Sequence, residues 1–345
     1  MRYYTQALLA NSALHRAWFG QVVAARNHFH DVEAHFSALQ NESALLPRDA
    51  WREVDQVTLR VMRDDEGDGF MRDLMPLAKA IDIGKTVQLY RISSDVGSVV
   101  RSMSGQVPVS MDKVDYDYRG HPIPIFSTGY GREWREWNTQ KSENFDALLD
   151  DQEAHVAKLR KDVATYTLRG DTSLSVKGYK GYGIENHPYT NQINLGPAGS
   201  NINLTTATSD AIETFINSVL GAAMDNNKIT GAVNLYVSPE IMRNFDKPYS
   251  GSAGFKIGSL RDALLANRRI AKIEQTFLLT GNECFAFVPN AQMIRPLVGM
   301  AVSTIGLVRS NPTDNYNYQV WGAQGLEIRA DFNNKSGVFY MKNTG

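Results

Sequence analysis

Three glycines, Gly178, Gly181 and Gly183, stand at Gly-x-x-Gly-x-Gly spacing inside TLRGDTSLSVKGYKGYGIEN, residues Thr167–Asn186. Glycines so spaced can bring backbone amides onto a phosphate, but only where a strand leads in and a helix leads out. Here a long helix-patterned segment leads in and IENHPYTNQ leads out, so the pattern predicts a hinge and not a nucleotide cradle. IGKT at Ile83–Thr86 has the last letters of a phosphate-binding loop, yet Lys79 stands where the first glycine must be. The motif fails there.

Other candidates for chemistry fail on similar grounds. DDEGDG at Asp64–Gly69 opens like a calcium loop, but Met75 takes the place of the closing bidentate glutamate, leaving a solvated acidic turn. His28, Asp31 and His35 in HFHDVEAH share one helical face, while His30 points away and no fourth ligand is near, which favours a polar helix edge over a metal centre. The single cysteine, Cys284, lies in the apolar run CFAFV, where burial would raise its pKa and quench it. Asp150 and Asp151 sit among many other charges, as on a solvated helix face. No Gly-x-Ser-x-Gly elbow is present, and the pattern calls for no cofactor and no metal.

The whole chain agrees with this. Its 345 residues allow two or three domain-sized units, and 36 basic against 37 acidic residues rule out a broad cationic surface for nucleic acid. One cysteine forms no intrachain disulfide, and a reducing compartment is expected. The first residues lack the pattern of a secretory signal, and no apolar run is long enough to span a bilayer.

The elements that would carry these residues follow from periodicity. Val22, Phe29, Val32, Phe36 and Leu39 predict an amphipathic helix within residues 5–40, and Trp51, Val54, Thr58 and Val61 predict another over residues 49–63. Residues 87–137 alternate Val, Ile, Tyr and Trp with Gly and Pro, which predicts a long projecting hairpin of strands and turns. Residues 142–170 carry Phe145, Leu148, Val156, Leu159, Val163 and Tyr166 on one stripe, acids early and bases late, and predict a helix about 40 Å long. A compact region follows, with helices near residues 209–225, from Pro239, and near 259–267, and strands at AVNLYVS, IAKIEQT and CFAFV. From Leu297 to Met341 the chain reads as strands with turns at SNPTDN and NNKSG, so the fold class is α+β.

This order of parts resembles the shell subunit of tailed phages, the Hong Kong 97-like capsid fold that encapsulin nanocompartments share. LPRDAWREVDQVTLRVMR (Leu45–Arg63) is similar to the arm helix of encapsulin-like shells, with Val54 and Asp55 after the Trp. YRGHPIPIFSTGYGREWREW (Tyr118–Trp137) resembles the returning half of a capsid E-loop, and Gly183, Ile184 and Glu185 resemble the Gly-Ile-Glu signature of the spine exit. The resemblance implies an N-terminal helical arm (1–46), an N-arm and start of the P domain (47–86), an E-loop hairpin (87–140), a P-domain spine helix and its exit (141–190), an A domain (191–297), P-domain return strands (298–330) and a C-terminal strand (331–345).

What the resemblance implies of function is a structural, non-enzymatic major capsid protein that self-assembles from hexamers and pentamers into an icosahedral head around double-stranded DNA. Portal, scaffold or decoration proteins would be its partners, with weak non-specific DNA contact and no membrane. It would reside in the virion after assembly in the bacterial host cytoplasm. An encapsulin-type shell remains an alternative, and a soluble enzyme a more distant one; the first 45 residues and the elaborate hairpin favour the viral shell. In such a subunit Gly170, Gly178, Gly181 and Gly183 would form the hinge between spine and A domain. Arg132, Trp134, Arg135 and Trp137 would be intersubunit anchors, as Trp and Arg dominate interface hot spots; alternatively the tryptophans pack the hairpin onto its own spine helix. The N-terminal arm would act in assembly.

Overall fold

The computed structural model describes residues 20–28, 68–95, 97, 99, 101–104, 111, 113–142, 147–249 and 258–344. The predicted helix at 49–63, most of the N-terminal arm and residues 105–110 of the hairpin tip lie outside these. The chain divides into two units: residues 64–129, 154–305 and 319–345 form the larger, and residues 1–63, 130–153 and 306–318 the smaller. In chain order the strands are β1 (Lys79–Ala80), β2 (Val87–Ser93), β3 (Tyr116–Pro122), β4 (Ile125–Arg132), β5 (Gly170–Val176), β6 (Tyr179–Tyr182), β7 (Asn191–Asn194), β8 (Val233–Val237), β9 (Ile270–Gln275), β10 (Cys284–Phe287), β11 (Ile294–Gly306), β12 (Tyr316–Ile328) and β13 (Val338–Lys342).

At the centre of the larger unit is a five-stranded sheet of order β7-β13-β10-β8-β9. Every residue of β8 and β10 is buried, which explains why CFAF reads as an unbroken apolar run and VNLYV is interrupted only by Asn234, whose side-chain amide donates to Asp73 at 3.4 Å. One face carries Val233, Leu235, Val237, Cys284, Ala286, Phe339 and Met341 into a core with the helices at Ser209–Asn226, Pro239–Phe245 and Leu260–Leu265. The other carries Tyr236, Phe285, Phe287, Val338 and Tyr340 against Phe70 and Leu74 of the helix Asp68–Leu74, Leu168, Leu326 and Ile328. Phe285 sits in that second core, edge-on to Phe70 at 5.5 Å and stacked on Tyr236 at 5.1 Å.

The three predicted helices of this region begin where their caps allow. The Thr208 hydroxyl accepts from the amide of Ala211, that of Ser238 from Ile241 ahead of Pro239, and Ser259 closes a capping box with Asp262. The first helix runs through a π turn at Phe215–Leu220 and ends at Asn226.

β2 and β3 form the predicted hairpin, in antiparallel register from Val87 opposite Pro122 to Ser93 opposite Tyr116. The return strand differs from the sequence expectation. After Pro122 the chain leaves this ladder, and β4 joins a four-stranded sheet of order β1-β11-β12-β4. From Trp134 the chain is helical to Ser142, where strands and turns were expected through Trp137. Glu133 to Ser142 holds no glycine or proline, so nothing breaks a helix there.

The long helix runs Ala147–Arg169, 23 residues or about 35 Å, with residues 143–146 outside the described set. Leu148, Leu159, Val163 and Tyr166 of its predicted stripe are buried, and Val156 is half-buried. In the smaller unit residues 20–28 form a helix, consistent with the predicted arm.

Because Phe285 is fully enclosed, Phe285→Ala lowers unfolding stability by about 3–5 kcal/mol, whereas Tyr116→Ala at an exposed site changes it by about 0.5 kcal/mol or less. Urea unfolding of the two variants measures the contrast.

Candidate functional site

The glycine-rich stretch is a β-hairpin built against the end of the long helix. Gly170 stops that helix with φ +69°, and Lys177 and Gly178, with φ 51° and 87°, turn β5 back into β6. A strand therefore precedes the glycine run, contrary to the sequence reading, but no helix follows it. Its amides are already engaged: Ile184 N–H donates to Thr167 O at 2.9 Å, Glu185 N–H to Leu168 O at 2.8 Å, and Gly183 N–H to Asn186 Oδ1 at 2.7 Å. The helix's own last carbonyls take the donors that a phosphate would need.

Close approach explains the remaining glycines. A Cβ on Gly183 would stand 2.3 Å from the amide nitrogen of Gly170, and one on Gly181 would stand 2.7 Å from both Asp171 O and Tyr166 Oη. Beside this contact, the Arg169 guanidinium bonds Glu185 at 2.6 Å and Glu283 at 3.1 Å, and Lys342 bonds Glu185 at 2.9 Å. Burial alone would raise the Glu185 carboxyl, but the hydrogen bonds from Arg169 and Lys342 outweigh it and hold the group below its ordinary range.

The other chemical candidates resolve in the same way. At IGKT the Gly84 amide donates to Asp82 Oδ1 at 2.9 Å, so an acid occupies the position an anion would take. Asp68 and Gly69 begin a helix, while the rest of the acidic turn lies outside the described residues, as do His30, Asp31 and His35. His28 is exposed on the helix at 20–28. Cys284 is fully enclosed, and burial pushes its thiol well above the ordinary range. Asp151 departs from the expected solvated face: it is half-buried and bonded to Arg132. Among the described residues no three His, Cys, Asp or Glu side chains are placed to hold a metal, and no helix is long and apolar enough to cross a membrane.

The four proposed anchors lie together at the end of β4 and the start of the next helix, all in the smaller unit. Arg132 reaches Asp151 with two nitrogens, at 2.6 and 2.9 Å, and Glu136 with a third at 2.9 Å. Trp137 is half-buried, edge-on to Tyr316 at 6.1 Å, and the exposed Arg135 lies over the Trp134 ring at 5.5 Å. Arg132 and Trp137 are thus partnered within the chain, while Trp134 and Arg135 partner each other. The open recess at the β11–β12 turn is lined by Leu307, Val308, Thr313, Asp314, Asn315 and Asn317, and its one acid, Asp314, accepts the amides of Ser310 and Asn311.

Sequence reasoning missed the outer face of the β2–β3 hairpin. Leu89, Tyr116 and Tyr118 point outward together and are about half exposed, with Arg91 stacked 4.7 Å over Tyr116, and Val99, Met103 and Met111 beyond them are almost wholly exposed. The signal was present, because with Tyr90 and Ile92 buried the period of two sends Leu89, Tyr116 and Tyr118 to the opposite face.

A family model described as "Family of unknown function (DUF6260)" matches residues 41–341. No curated protein matches the chain. Among solved structures, the capsid of Myoviridae phage XM1 superposes with a TM-score of 0.66 at 12% identity, covering 88% of this chain and 100% of that one. The capsid of a native GTA particle gives 0.62 at 11%, covering 88% and 98%, and a structure from Microbacterium phage Oxtober96 gives 0.56 at 10%, covering 85% and 96%. At such identities the likeness is one of fold, and the fold is the Hong Kong 97-like capsid fold.

Gly183→Ala lowers unfolding stability by about 1–3 kcal/mol through backbone overlap. Gly178→Asn, with open space around it and a residue that tolerates positive φ, changes stability by about 0.5 kcal/mol or less. Chemical unfolding that ranks the two the other way overturns the packing account.

Proposed function

The chain belongs to the DUF6260 family, and we propose that it is the major capsid protein of a tailed phage, a structural subunit that assembles with copies of itself into the head around the genome. One observation carries this: the likeness to the XM1 capsid extends over that whole chain and 88% of this one, so it is not confined to a shared motif. In this reading the β2–β3 hairpin belongs to the E-loop, Ala147–Arg169 is the spine, residues 191–297 the A domain, and residues 298–330 the return strands. Portal, scaffold or decoration proteins, and loosely held DNA, would be met in the virion.

The exposed faces support the reading. Leu89, Tyr116 and Tyr118 form an aromatic-apolar surface that a lone subunit leaves in water, and large exposed apolar patches mark interaction sites. Of the four anchors, Arg135 and Trp134 are the pair we assign to a neighbouring subunit, since Arg132 and Trp137 already have partners in the chain. The joint at Gly170, Gly178, Gly181 and Gly183 is assigned the angular adjustment between spine and A domain, its short hairpin moving as one tightly packed piece.

The protein produced alone forms closed shells, or hexamers and pentamers, by light scattering and negative-stain microscopy. A monomer at high concentration in moderate salt overturns the proposal. Tyr116→Glu combined with Tyr118→Glu keeps the circular dichroism of the subunit but abolishes particles, since two carboxylates would enter an apolar contact. Arg135→Glu reduces particle yield with the same fold intact, and a normal yield removes Arg135 from the interface.

A further inference from the structure

His121 and His187 are each 3% exposed, and their rings stack at 5.1 Å with 21° between planes. His121 lies on β3, and the Tyr90 ring of β2 continues the stack at 5.9 Å. His187 lies beyond the glycine hairpin, walled by Tyr182 at 5.6 Å and Tyr189 at 5.1 Å. Two further contacts join the β2–β3 hairpin to the same body. Arg119 lies 4.1 Å over the Tyr189 ring and donates to Asp331 O and Asn334 Oδ1 at 3.2 and 2.7 Å, and the Tyr90 hydroxyl accepts from the Ala330 amide at 3.3 Å.

We infer that the His121–His187 stack is an acid-released latch, which holds the β2–β3 hairpin against the body of the larger unit when both rings are neutral and frees it when they charge. The hydrogen bonding specifies neutral rings. His121 Nε2 is buried with no hydrogen-bond partner, so a proton added there would point at nothing, and an unpaired buried charge is far costlier than an unused lone pair. His187 Nδ1 accepts the Tyr189 amide at 3.1 Å, so a proton there would set two N–H groups face to face.

Among the described residues no compensating acid acts on the pair. Arg119, the cation facing the pair, repels a charged ring, and Tyr90, Tyr182 and Tyr189 are neutral walls. Arg329 lies behind Tyr90 at 5.1 Å, adding a second cation. Asp331 gives the cluster its backbone carbonyl while its side chain accepts the Lys335 amide, and Glu185 is bonded to Arg169 and Lys342. Burial lowers His121 to about 4, and burial, then His121 and Arg119, put His187 well below its ordinary value. Both folded-state values are depressed, so the stabilisation is complete above the unfolded value near 6.5 and is lost as pH falls from there through about 4. A two-stranded hairpin is marginal once detached, so the loss appears first as local opening.

Hydrogen–deuterium exchange, corrected for intrinsic rates, tests this on the full chain. Between pH 7 and 4.5, peptides covering Tyr116–Pro122 lose protection by about tenfold or more while Cys284–Phe287 holds, and in His121→Phe the same peptides change by about threefold or less. Equal loss in wild type and variant, or simultaneous opening of the central sheet, overturns the latch. Imidazole C2-proton exchange by mass spectrometry on the wild-type protein reads the rings without a variant: a midpoint well below 6.5 for His121 supports the latch, and one near 6.5 with the hairpin still protected overturns it.

Discussion

A sheet buried on both faces governs this fold. β13 lies between β7 and β10 and sends Phe339 and Met341 into one core and Val338 and Tyr340 into the other. Neither core is complete before residues 338–342 are in place. β13 also pairs in parallel with β7, Phe339 opposite Asn191, so the closing register spans nearly half the sequence. Contacts so distant are slow to form because loop closure must precede the burial that rewards it. The ion pairs Arg169–Glu283 and Lys342–Glu185 sit beside this closing strand and tie the end of the long helix to the sheet.

With the core closed at this sheet, the hairpin is left to hold itself. One face, through Tyr90, Ile92 and His121, is buried in the larger unit, and the other presents Leu89, Tyr116 and Tyr118. Leu89, Tyr116 and Tyr118 leave apolar surface in water on a face of β2 and β3 whose one charge, Arg91, is stacked over Tyr116. Under the capsid reading the same pattern is economical: the inner face fixes where the hairpin leaves the subunit, and the outer face binds a neighbour.

Much of this was legible in the residues, and the failures have physical causes. VNLYV and CFAFV announced strands because residues buried on both sides are mostly apolar, and Pro239 announced a helix start because its fixed φ acts locally. The helix at Trp134–Ser142 was missed because Tyr, Trp and Arg suit a strand as well as a helix, and the preceding glycines weighted the choice toward turns. The glycine run read as a hinge, and close backbone approach leaves the same letters; that Gly183 faces Gly170 is a tertiary fact. Arg132 was expected to meet a neighbouring subunit, and its partner within the chain, Asp151, lies 19 positions on, at a distance no periodicity encodes. The histidine stack left no signal at all, since His121 and His187 belong to different local segments and meet only when the hairpin docks.

The cations and the imidazoles of this protein divide its response to acid into two stages. Glu185 is paired with Arg169 and Lys342 and is held below the ordinary carboxylate range, so its contribution is complete above that range and is lost as pH falls through it toward the lowered value. Among the described residues no acid is bonded to the two histidines, so their contribution begins to fade near 6.5, before that of Glu185. The ties at the closing strand therefore outlast the tie at the hairpin. An order of this kind needs no dedicated mechanism: it follows from placing carboxylates beside guanidinium and ammonium groups at the central sheet and leaving imidazoles unpaired where the projection meets the body.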